Sequence, residues 1–140
     1  MDVETLRKLV SSAIWRAEQL DDLGTATAPL AWLEVATIEE ALAETIAATD
    51  AEGRIARRGA VNAALKAGDY DRAVNLIERY GKERDSPQTF RKDLRRLIKT
   101  WSGGVYNQFP HAAKRYDQKA RQTLVDRIHK GGPFGLAAFA

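Results

Sequence analysis

Arg91, Lys92, Arg95, Arg96 and Lys99 place five cations within nine residues. Wound as a helix at about 100° per residue, they fall within an arc of about 140°. Phe90, Leu94, Leu97, Ile98 and Trp101 fall on the opposite side, within about 100°. A helix with one apolar face and one cationic face suits phosphate binding, because each neutralised phosphate releases condensed counterions. Lys114, Arg115 and Lys119 continue the theme, followed by Arg121, Arg127 and Lys130. Tyr106 and Phe109 lie between the two basic stretches, where exposed rings would stack on unpaired bases. Trp101 and Tyr116 sit on apolar seams and are assigned to core packing. The candidate nucleic-acid-binding set is therefore Arg91, Lys92, Arg95, Arg96, Lys99, Lys114, Arg115, Lys119, Tyr106 and Phe109, with single strands or RNA favoured. The alternative use of these cations is a solvated face that keeps the protein soluble.

Other chemistry has little material. The chain has no cysteine and two histidines, His111 and His129. Neither histidine has a second ligand at a helical metal-site spacing. Glu40 and Glu44 share a helix face, but a carboxylate pair without histidine reads as solvated surface. No nucleophile elbow, Walker loop or dinucleotide fingerprint is present. Gly81-Lys82 follows a helix end without the rest of a phosphate loop. No catalytic residue, metal or cofactor is expected. A small enzyme that clamps an anionic substrate with Arg and Lys is the weakest reading.

Charge is unevenly distributed. Residues 1–53 carry three Lys/Arg against eleven Asp/Glu, a net of −8, whereas residues 54–140 carry 19 against eight, a net of +11. Asp21, Asp22, Glu34, Glu39, Glu40 and Glu44 could meet a basic partner, the chain's own basic half, another copy, or solvent.

The elements that position these residues are all helical. Val3, Leu6, Val10, Ala13, Ala17 and Leu20 form a narrow seam on a first helix capped by Asp2 and followed by Gly24. A second helix begins near Thr27 with Pro29 in its first turn, burying Ala31, Val35, Ile38, Leu42 and Ile46. The short loop between them predicts an antiparallel αα-hairpin. Asp50 opens a third helix over 51–67, stopped by Gly68. Asp69 caps a fourth, carrying Ala73, Leu76, Ile77 and Tyr80 and stopped by Gly81. Ser86-Pro87 opens a fifth, with a capping hydroxyl and a proline at the first helical position. It is expected to end at Trp101, before Ser102-Gly103-Gly104, with Tyr106 and Phe109 on a flexible connector. Pro110 opens a sixth helix reaching Lys130. The fold class is all-α, a compact bundle of five to six helices.

The stretch Val61-Asn62-Ala63-Ala64-Leu65-Lys66-Ala67-Gly68-Asp69-Tyr70-Asp71-Arg72-Ala73 resembles the helix–turn–helix junction of a tetratricopeptide repeat. The resemblance covers about twenty residues and implies that Gly68 ends one helix while Ala73 packs where the next crosses it. No second copy follows at the period of about 34, so the stacked peptide-binding groove of that family is not implied. In size and charge the chain is similar to the small, basic, all-α subunits of CRISPR surveillance complexes.

Residues 1–132 are expected to form one helical domain, with an acidic hairpin over 1–50 and basic helices over 54–130. Residues 133–140 form an uncharged apolar tail. Phe134, Leu136 and Phe139 of that tail are candidate partner-binding residues, against a tail folded back on the bundle. The acidic, amphipathic start lacks the features of a secretory signal, and no apolar run approaches the roughly 20 residues of a membrane span. A cytoplasmic location is expected. The expected function is a non-catalytic accessory subunit of a nucleic-acid-handling assembly. The alternative is a protein–protein adaptor or structural subunit, of a phage or toxin-type system, with no nucleic-acid role. Self-association or other protein subunits are the remaining expected partners.

Overall fold

The computed structural model describes residues 1–108, with side chains through Lys99. Five helices follow one another: α1 (Val3–Asp22), α2 (Ala28–Thr45), α3 (Ala51–Ala67), α4 (Tyr70–Gly81) and α5 (Gln88–Gln108). No strand occurs among the described residues, so the fold is an all-α bundle. The expected sixth helix, together with Phe109, Lys114, Arg115, Lys119, Phe134, Leu136 and Phe139, lies outside the described residues.

Three helix ends follow local chemistry closely. The Asp2 carboxylate accepts from the Thr5 amide at 2.7 Å, and the Asp69 carboxylate accepts from the Arg72 amide at 3.2 Å, each satisfying an orphan donor of a first turn. The expected caps at Asp50 and Ser86 differ. Asp50 makes no side-chain cap bond, and the Ser86 hydroxyl is buried without a hydrogen-bond partner. At the α3 terminus Gly68 adopts φ 81°, a left-handed conformation that only glycine enters without cost. Its amide donates to the Leu65 carbonyl and the Asp69 amide to the Ala64 carbonyl, the paired bonds of a Schellman stop. This turn delivers Ala73 fully buried into the core.

One boundary is a correction. The fifth helix does not stop before Ser102-Gly103-Gly104 but continues through them to Gln108. Each glycine costs a helix interior only about 1 kcal/mol relative to alanine and keeps its amide donor. Without a proline the tripeptide is therefore a weak stop. Tyr106, expected on a connector, falls within α5.

The core has two centres. Leu65, Ile77, Leu94, Ile98, Val61 and Val74 are fully buried where α3, α4 and α5 meet. Trp32 anchors the other, packed with Ala13, Ala17, Val35 and Ala63. Its indole N–H donates to the Asp21 carboxylate at 2.7 Å, and the Lys66 ammonium stands 4.3 Å over its ring. Desolvation there lowers the Lys66 pKa from its ordinary value. Alanine is frequent in both centres, so helix backbones approach closely. At Gly53 the start of α3 meets the α2–α3 connector, and a Cβ there would stand 2.0 Å from the Ala47 carbonyl oxygen.

Candidate nucleic-acid interface

The orientation of α5 is set by its buried side. Phe90, Leu94 and Ile98 are in the core, and Leu97 packs partly against it. Burial of each of the first three is worth about 1.5–3 kcal/mol. The opposite face must then point outward, and Lys92, Arg96 and Lys99 are exposed on it, with the Arg96 side chain 71% exposed.

The cationic set divides into groups with different duties. Lys92 and Lys99 form no ion pair among the described residues. Arg96 meets Asp93 of its own helix at 3.4 Å, one turn away. Arg95 is half-buried. Arg91, also half-buried, turns back along the chain and donates to the Glu83 carbonyl oxygen at 2.7 Å. Its Nε is buried without a hydrogen-bond partner. Arg91 thus tethers the α4–α5 connector to α5. Tyr106 lies two helical turns beyond Lys99, in the same helix.

The acidic half does not cover this face with Glu34, Glu40 or Asp21. Glu40 is held by Arg72 and Arg79 of α4, Glu34 by Arg16 at 2.9 Å, and Asp21 by Trp32. Glu44 and Asp22 are exposed, whereas Glu39 is buried at 7% exposure. The halves therefore do pair within the chain, through Glu40 of α2 with Arg72 and Arg79 of α4 and through Lys66 of α3, which lies in the field of Glu18 and Asp21 of α1. Asp93 is paired with arginines at the edge of the α5 stripe, meeting Arg96 and, at 3.3 Å, Arg58 of α3.

Two arrangements were not visible in the residue pattern. Arg57 is 4% exposed and places all five of its N–H groups. Two go to the Glu83 carboxylate at 2.8 and 2.9 Å, and the others to the carbonyls of Ile46, Gly53 and Ala43. A groove of about 220 Å³ opens between α3 and α5, lined by Arg54, Ile55, Arg58, Thr89, Phe90 and Asp93. The i, i+3 and i, i+4 spacing of Ile55 and Arg58, and of Thr89 and Asp93, was the available signal. Only the pairing of α3 with α5 shows that the two sets face each other.

Among the described residues, no group of three or more His, Asp or Glu side chains could hold a metal ion, and no helix is long and apolar enough to cross a membrane. Compared with known protein families, curated proteins and solved structures, the chain matches none.

Proposed function

We propose that this protein is a non-catalytic accessory subunit of a nucleic-acid-handling assembly, in the manner of the small helical subunits of CRISPR effectors. It tracks a phosphate backbone with Lys92, Arg96 and Lys99 of α5. The observation that carries this reading is how the charges are distributed. The arginines of the interior and of the α2–α4 contact are committed to carboxylates and carbonyls, while the outer face of α5 presents cations to solvent. Concentrated positive potential on a rigid helix attracts phosphates and fixes their register. The same reading takes α1 and α2 as an antiparallel hairpin, supported by the contacts Arg16–Glu34 and Asp21–Trp32. It takes α3 and α4 as a tetratricopeptide-like hairpin, supported by the Gly68 turn.

The test is fluorescence anisotropy of single- and double-stranded oligonucleotides at about 50 and 200 mM salt. Binding should weaken steeply with salt, and the triple substitution K92Q/R96Q/K99Q should reduce both the affinity and the salt slope. Absence of binding at low salt refutes the proposal.

One observation favours the adaptor reading. Trp15 is 66% exposed on α1, beside Ser11, Ser12 and Arg16. A large aromatic side chain left in water is the residue type most enriched at protein-binding hot spots. Trp15→Ala should leave oligonucleotide binding unchanged and weaken association with a protein partner.

A further inference from the structure

We infer that the groove between α3 and α5 seats an unpaired nucleobase of a single strand whose phosphates run along Lys92, Arg96 and Lys99. The inference rests on the phosphate-binding reading of α5. A base needs an apolar or planar surface for its face and polar groups for its edge. The groove supplies both. Phe90 forms a buried floor at 5% exposure, and Ile55, 66% exposed, forms an apolar lip. An isoleucine this exposed beside a groove gains contact area as soon as a flat ring lies on it.

The polar groups suit a base edge. Asp93 accepts, and the Thr89 hydroxyl both donates and accepts. The Arg58 guanidinium meets Asp93 through one nitrogen at 3.3 Å and is half-exposed, so its planar face can stack on a ring. Arg54 is fixed by its bonds to the Ala48 and Thr49 carbonyls and serves as a rigid wall. Register links the groove to the stripe. Asp93 is one residue from Lys92 and one turn from Arg96, so a strand on the stripe brings a base to the groove. A duplex keeps its bases stacked and paired, and cannot offer one without flipping it.

The experiment uses the full chain and three probes of equal length at about 50 mM salt: a single strand, the same strand made entirely abasic, and a duplex. The abasic strand keeps the phosphates and loses the rings. It should bind about 5- to 100-fold more weakly than the intact strand, the range for one stacked base, with the same salt slope. Ile55→Ser, on an exposed position, should bring intact-strand affinity toward the abasic level, with helicity by circular dichroism unchanged. Equal affinity for intact and abasic strands would overturn the base site while leaving phosphate tracking in place. Binding of neither would overturn both.

Discussion

The carboxyl group of Glu39 rests on the α3 backbone at Gly59, where a Cβ would stand 2.7 Å from its carboxyl carbon and from Oε1. The side chain is 7% exposed and has no hydrogen bond or ion pair among the described residues. Its neighbour Glu40 takes both Arg72 and Arg79. Four cations on the flanking helices are directed elsewhere: Arg57 to Glu83, Arg58 to Asp93, Arg7 to Glu52 and Arg16 to Glu34. With no compensating charge, burial pushes the Glu39 carboxyl from 4.5 up to about 7.

That shift makes stability depend on pH, and the sign is set by which state holds the proton. In the unfolded chain Glu39 ionises near 4.5, and in the folded chain near 7. Between these values the folded state binds the extra proton, so stability falls as pH rises. The cost is absent below about pH 4.5 and complete above about pH 7, at roughly 3 kcal/mol. Glu39→Gln should remove this pH dependence and raise stability above pH 7, measured by urea unfolding at pH 5, 6, 7 and 8. Parallel pH profiles for the two proteins would show that Glu39 is not held neutral.

Arg57 predicts a different failure. The C-terminal turn of α2 carries no basic residue of its own, and Arg57 of α3 supplies the missing donors to the Ala43 and Ile46 carbonyls. It also grips Glu83 through a two-point pair that ties the α4–α5 connector to α3. Removing one partner of a buried pair leaves the others unsatisfied, at about 3–5 kcal/mol. Arg57→Met should destabilise by that order. Arg57→Lys should recover little, because an ammonium cannot reproduce the planar fork. Chemical denaturation of both variants checks this, and full rescue by lysine would show that charge alone matters.

Much of the helical framework was legible in the residues, and the reasons are local. The seam from Val3 to Leu20, the Asp2 and Asp69 caps and the Gly68 stop depend on neighbours within a few positions. The run from Phe90 to Ile98 likewise declared its buried and exposed sides by period alone. Glu39 was not legible. It sits among Glu34, Glu40 and Glu44 with the same residue type, and only the crossing of α2 over Gly59 separates it from that acidic face. Arg57 and Arg91 were hidden as well. Three of the five Arg57 bonds and the Arg91 bond go to backbone carbonyls that no side-chain pattern records, and the Glu83 carboxylate lies 26 residues from Arg57. The extension of α5 through Gly103-Gly104 was misread because glycine weakens a helix without ending it.

Gly53 tests how tightly the α2–α3 corner is closed. A Cβ there would meet the Ala47 carbonyl oxygen at 2.0 Å and the Ile46 carbonyl oxygen at 2.8 Å. Both are backbone atoms and cannot swing aside as a side-chain tip can. Alanine normally gains about 1 kcal/mol over glycine inside a helix. Here Gly53→Ala should instead destabilise, by more than about 2 kcal/mol, as overpacking does. A thermal midpoint at or above that of the native protein would show that the corner can open.

Arg91 separates folding from binding within one helix. It shares a sequence cluster with Lys92, Arg96 and Lys99, yet its guanidinium donates to the Glu83 carbonyl, while Lys92, Arg96 and Lys99 face solvent. Arg91→Gln should cost about 1 kcal/mol of stability for the lost hydrogen bond, and should change the salt slope of oligonucleotide binding little. Lys99→Gln should do the reverse, with unfolding nearly unchanged and a slope reduced by about one phosphate contact. Denaturant unfolding and salt-dependent anisotropy on both variants decide the matter. If Arg91→Gln reduces the slope as much as Lys99→Gln does, Arg91 leaves Glu83 to bind phosphate. The tether would then be part of the nucleic-acid surface, and binding would loosen the connector between α4 and α5.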